Sequence, residues 1–114
     1  MNKIHNIMTV IDYIEENLSD KLNLYNISQA VGYSKYHLHR MFADTIGISI
    51  HDYVQRRKLT EAAKLLVFSQ KPILEISLVA GYESQQAFSK IFKQMYKQTP
   101  NEYRNNQNFY PLQL

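Results

Sequence analysis

Most of the stretch from Ile27 to Phe42, ISQAVGYSKYHLHRMF, is written twice in this chain, the second time as ISLVAGYESQQAFSKIF from Ile76 to Phe92. Ile27, Ser28, Gly32 and Tyr33 return 49 positions later as Ile76, Ser77, Gly81 and Tyr82. Glu83 is then one extra residue, and from there the offset is 50: Ser34, Leu38, Phe42, Ser49 and Tyr53 return as Ser84, Phe88, Phe92, Thr99 and Tyr103. Such a repeat constrains the fold before any other feature does, because each copy is too short for a domain and must be one supersecondary unit.

The unit itself follows from backbone chemistry. In each copy a small residue (Ser28, Ser77) stands four before a glycine (Gly32, Gly81), placed where a helix would end and a tight turn needs positive φ. A serine follows (Ser34, Ser84), whose hydroxyl caps the amides of a new helix. The small residue lets the second helix cross closely over the first, and the pattern is a helix-turn-helix.

The second helix of each copy divides into two faces at helical spacing. Leu38, Met41, Phe42 and Thr45 form the inward side of the first, while Tyr36, His39, Arg40 and Ala43 point away. In the second, Phe88, Ile91, Phe92 and Met95 face inward, and Gln85, Gln86, Ser89, Lys90 and Lys93 face out. The outward sets hold amides, cations and an aromatic near the helix start. Those groups hydrogen-bond base edges or touch a thymine methyl. One such face would read as an ordinary solvated surface; two in phase favour nucleic acid.

Charge is divided in the same way. The formal charge is +3, but residues 1–30 hold two cations against four anions, residues 31–60 five against two, and residues 84–104 four against one. The basic excess therefore falls on the second helices and the segments just after them, as a nucleic-acid surface requires. The chain has no cysteine, hence no disulfide, thiol nucleophile or thiolate metal site, a composition suited to the reducing cytoplasm. Neither a signal-peptide core nor a membrane-length apolar run is present in the sequence.

Taken in order, residues 4–18 read as an amphipathic helix with Ile4, Ile7, Met8, Ile11, Ile14 (or Tyr13) and Leu18 on its apolar stripe, closed by Ser19 and Asp20. Leu24 to Val31 is the first helix of the first copy, and its second helix ends near Ile46, with Gly47 as cap. Ser49 caps a long helix to about Phe68 with two partial stripes: Ile50, Tyr53 and Val54, then Leu59, Ala62, Ala63 and Leu66. A helix that buries different faces at its two ends is what a link between two lobes would look like. Residues 49–68 at ~1.5 Å each make roughly 30 Å, near the ~34 Å between successive major-groove faces of duplex DNA. Arg56, Arg57 and Lys58 at its middle read equally as a solvated basic turn or as phosphate contacts. Pro72 opens the second copy at N1, and Thr99-Pro100 opens a last short helix through Arg104. The tail NNQNFYPLQL reads as disordered, as a cap on the core, or as the start of a further segment. The implied fold is all-α: two helix-turn-helix subdomains, residues 1–55 and 56–106, joined by the long helix at about 49–68, with 107–114 as tail.

At these residues the chain resembles the DNA-binding domain of the AraC/XylS family of transcription regulators. The motif I-x2-I-x4-GYESQQAFSKIFK…TPNEYR carries the resemblance, and GYSKYHLHRMF at 32–42 with Pro72-Ile73 through Ser84-Gln85-Gln86 is similar to the MarA, SoxS and Rob subgroup. The resemblance covers about residues 7–104. It implies seven helices and an activator that touches RNA polymerase, while the length of the long helix predicts a monomer that places its recognition helices in two adjacent major grooves; no cofactor is expected. Carried over by position, the base contacts would be Tyr36, His39 and Arg40 in the first recognition helix and Gln85, Gln86, Ser89 and Lys90 in the second. Lys35, Arg56, Arg57, Lys58, Lys93 and Lys97 are candidate phosphate contacts. Tyr36 stands where these relatives have Trp, His39 where they have Gln, and Lys90 where they have Arg. Lys97 holds a position usually given to Gly or Asp.

Two other classes fit less well. An enzyme finds little support: the three glycines are isolated, so no phosphate-cradling loop exists, and His37 and His39 are two apart on a helix and face different ways. A protein-interaction module, for example an antagonist of such regulators, is opposed by two basic, polar recognition faces.

Overall fold

Apolar residues at helical spacing, punctuated by good capping residues, fold into seven helices among the described residues. The structure is a computed structural model that describes the backbone from Lys3 and side chains from Asn6 to Leu114. Among the described residues the elements are α1 (Lys3–Glu16), α2 (Leu24–Val31), α3 (Lys35–Ile46), α4 (Ile50–Phe68), α5 (Ile73–Val79), α6 (Gln85–Tyr96) and α7 (Pro100–Asn106), with no strand. They fall into two compact units, one ending at Gln55 and the other running from Arg56 to Gln113. No helix among the described residues is long and apolar enough to cross a membrane.

In the first unit α1, α2 and α3 pack on one another and on the first turns of α4. Ile7, Val10, Ile14, Ile27, Leu38, Met41, Phe42, Ile50, Tyr53 and Val54 form its core. The apolar stripe of α1 is rotated from the expected one: Val10 is fully buried and Met8 is exposed. Ile7, Val10 and Ile14 recur at three and four residues, and a stripe through them leaves Met8 on the flank. Ile4 lies among the residues whose side chains are outside the description. α1 also ends earlier than expected, because Asn17 folds its amide back to Tyr13 O at 2.8 Å and caps the last turn before Ser19.

The second unit is built from the rest of α4 with α5, α6 and α7 around Leu59, Ala62, Ala63, Leu66, Ile76, Ala80, Phe88, Phe92, Tyr96 and Tyr103. Aromatic rings dominate. Phe92 stacks on Tyr96 at 4.6 Å between centroids and meets Tyr103 edge-on at 5.4 Å. Here Pro72 is the N-cap of α5 instead of N1, α6 runs through Tyr96, and α7 runs two residues past Arg104. The capping box of Thr99 and Glu102 sets the start of α7, and the Thr99 amide holds the Glu102 carboxyl below its usual range.

The tail caps this core. Phe109 and Leu112 pack against it. The Tyr110 carbonyl accepts from the hydroxyls of Tyr96 at 3.1 Å and Tyr103 at 3.3 Å, and the Leu112 amide donates to Thr60 Oγ1 at 3.2 Å. Burial pushes the Tyr96 hydroxyl up to about 12, while the bond from Thr60 pulls the other way.

Candidate nucleic-acid interface

The two turns that set the recognition helices are formed alike. Gly32 at φ 82° and Gly81 at φ 87° take the left-handed conformation that a side chain disfavours. Tyr33 N and Tyr82 N then bond back to Ser28 O and Ser77 O at 3.2 and 3.0 Å. Those serines are buried, and each satisfies its hydroxyl within its own helix, Ser28 to Tyr25 O at 2.8 Å and Ser77 to Ile73 O at 2.7 Å. The next helix starts on a serine cap in both units: Ser34 accepts from His37 N at 3.2 Å and Ser84 from Ala87 N at 3.0 Å. The extra residue Glu83 lengthens only the second turn, and α6 is still capped as α3 is.

The inward faces hold the recognition helices down. Leu38, Met41 and Phe42 are buried in the first unit, and Phe88, Phe92 and Tyr96 in the second. Thr45, expected inward, is exposed; Ile46 one residue on packs against the core in its place. Ile91 and Met95 are half-buried, and Tyr96 is the inward residue that the division into faces missed. Its signal was its place four after Phe92.

On the outward side of α3, Tyr36, His39 and Arg40 are exposed, Tyr36 at 71%. Arg40 Nη1 donates to the Tyr36 hydroxyl at 3.0 Å, and its guanidinium lies 5.8 Å from the Tyr36 ring centre. Lys35 lies exposed at the start of the same helix, its ammonium 5.9 Å from the Tyr25 ring of α2. On α6, Gln85, Gln86 and Lys90 are exposed, with Ser89 half-buried between them. Lys93 is exposed one turn further on. Each unit therefore presents, at the start of its second helix, side chains able to donate and accept along a groove.

The six cations named as phosphate contacts divide in two. Lys35, Lys93 and Lys97 are exposed. Lys97 closes α6 at φ 64°, a left-handed conformation rare for a residue with a side chain. The basic run of α4 is half-buried within the second unit. Arg56 donates to Gln113 O at 2.8 Å, and Arg57 pairs with Glu61 at 3.3 Å. Lys58 lays its ammonium 3.0 Å from where a Cβ on Gly81 would stand. Spacing along a helix could not disclose these neighbours.

A helix-turn-helix domain family profile matches residues 27–106. The multiple antibiotic resistance protein MarA of Salmonella typhimurium is 42% identical over 98 residues, covering 86% of this chain and 77% of that protein. The transcriptional regulator Rob of the same organism is 39% identical over 100 residues, 88% of this chain but 35% of Rob. Among solved structures, the C-terminal domain of AraT, a response regulator from Geobacillus stearothermophilus, superposes with a TM-score of 0.86 at 29% identity. That match covers 92% of this chain and 87% of the AraT chain.

Proposed function

Because the chain belongs to the AraC/XylS family of DNA-binding transcription regulators, we propose that it binds a specific duplex site as a monomer and activates transcription there. α3 and α6 enter adjacent major grooves, with Tyr36, His39 and Arg40 reading one half-site and Gln85, Gln86, Ser89 and Lys90 the other. Lys35, Arg56, Arg57, Lys58, Lys93 and Lys97 contact phosphates, together with helix N-termini, and contact with RNA polymerase is what the family resemblance adds. The observation that carries this reading is the pair of exposed polar faces, each at the start of a serine-capped helix after a left-handed glycine. A chain with two complete units offers two such faces at once, where a one-unit protein must dimerise to do so.

The test joins salt to substitution. Roughly five to eight neutralised phosphates give log K against log salt a slope of about −4 to −7, and a slope near zero sinks the nucleic-acid reading. Arg40→Ala should weaken specific binding by about 1–3 kcal/mol and relax preference at one position, since it removes a donor pair suited to guanine O6 and N7. Its stability should stay within about 0.5 kcal/mol of the parent, because the side chain is exposed. Gln85→Ala or Gln86→Ala should act on the other half-site. Sedimentation that finds only a dimer on the DNA would count against the monomer.

A further inference from the structure

The pairing of Arg40 with Tyr36 sets apart two residues that spacing alone treats as equals. An exposed arginine has many rotamers, and ordering it on a base is costly in entropy. Here the guanidinium is held one turn back along the helix, by the Tyr36 hydroxyl at 3.0 Å and by the ring face at 5.8 Å. The repeat isolates the feature. The positions of Tyr36 and Arg40 carry Gln86 and Lys90 in the second unit, and an amide beside an ammonium supplies no ring to lie over.

We propose that Tyr36 is a positioning residue for Arg40: its hydroxyl oxygen and ring fix the guanidinium in the orientation presented to the base. Nη1 sends one proton to the tyrosine oxygen. The guanidinium has five N–H groups in a fixed plane, so a parallel pair remains for a base edge. A tryptophan in this place keeps a ring but has only a donor, so the tyrosine oxygen makes this first face its own. The inference rests on the reading of Arg40 as a base contact.

The experiment uses the parent chain, the single variants Tyr36→Phe, Tyr36→Trp and Arg40→Ala, and the double variant that combines Tyr36→Phe with Arg40→Ala. The probes are the best duplex that the parent selects from a random pool and its single base-pair changes. At the base pair whose preference Arg40→Ala removes, Tyr36→Phe and Tyr36→Trp should each cut discrimination about two- to fivefold, leaving other positions alone. Added to Arg40→Ala, Tyr36→Phe should change nothing further at that pair. A merely structural tyrosine would instead lower affinity for all duplexes together. Full discrimination in Tyr36→Phe, while Arg40→Ala loses it, overturns the positioning role and leaves the base contact standing. A Tyr36→Phe loss of equal size with and without Arg40 overturns it too, assigning Tyr36 a contact of its own. Unchanged preference in Arg40→Ala overturns the base-contact reading, and positioning falls with it.

Discussion

Arg104→Ala should unfasten the second unit. From α7 the side chain reaches the end of α4 and the segment after it, donating from Nε to Leu66 O at 2.8 Å and from Nη2 to Lys71 O at 2.7 Å. A third contact, to Ser69 O, is longer at 3.4 Å. Leu66 O is among the last four carbonyls of α4, which no amide of the helix can satisfy. A hydrogen bond from a charged donor contributes about 1.5–3 kcal/mol, and the longest of the three adds little. Because Arg104 is only half-buried, water replaces part of what is lost, and we expect a cost of about 2–3 kcal/mol. For a unit of this size that lowers the melting temperature by roughly 8–24 °C. The assay is thermal melting followed in the near-ultraviolet signal of the Tyr96, Tyr103 and Tyr110 cluster, with amide exchange over α5 to α7 as the local readout. Arg104→Lys, with one donor group in place of a fork, should recover less than half of the loss. A melting temperature within about 2 °C of the parent for Arg104→Ala would refute the idea that this side chain ties α7 to the end of α4.

Phe42→Ala should cost about 3–5 kcal/mol, since the ring is fully buried and packs edge-on against Tyr53 at 5.4 Å. Binding at the first half-site should fail with it, and the melt separates this from loss of a contact. Lys97→Gly should raise stability by about 0.5–1 kcal/mol, because glycine takes the φ of 64° found there without strain, offset by the flexibility it adds to the unfolded chain. Denaturant midpoints measure it, and a lower midpoint refutes it. The Tyr96 hydroxyl titrates higher folded, at about 12, than its ordinary 10.0, so the stability it contributes is intact below pH 10 and declines as pH rises from 10 to 12. Denaturant melts across that range should show the decline, and Tyr96→Phe should make it shallower; an unchanged slope in that variant would disprove the assignment.

Much of this fold was legible because its determinants are local. A cap, a left-handed glycine or a run of apolar residues at helical spacing acts within one or two turns, and α2, α3 and α4 begin and end where such residues stand. The repeat then removed the usual ambiguity, since chance seldom writes Ile, Ser, Gly and Tyr twice in phase. What pattern could not decide was how each helix is rotated and what its long polar side chains reach. On α1, Val10 is buried in place of Met8, because neighbours across the unit choose the stripe and a helix taken alone offers two. Arg56, Arg57 and Lys58 read as open cations in sequence, yet they are half-buried within their unit, where Gln113, Glu61 and Gly81 meet them 57, four and 23 residues away. The tail could be placed on the core only by folding, because the Tyr110 carbonyl is met by the hydroxyls of Tyr96 and Tyr103. The bond from Arg40 to Tyr36 lies at a helical spacing that sequence does display. Whether two such side chains turn toward each other or apart is a choice of rotamer, and only the three-dimensional surroundings make it.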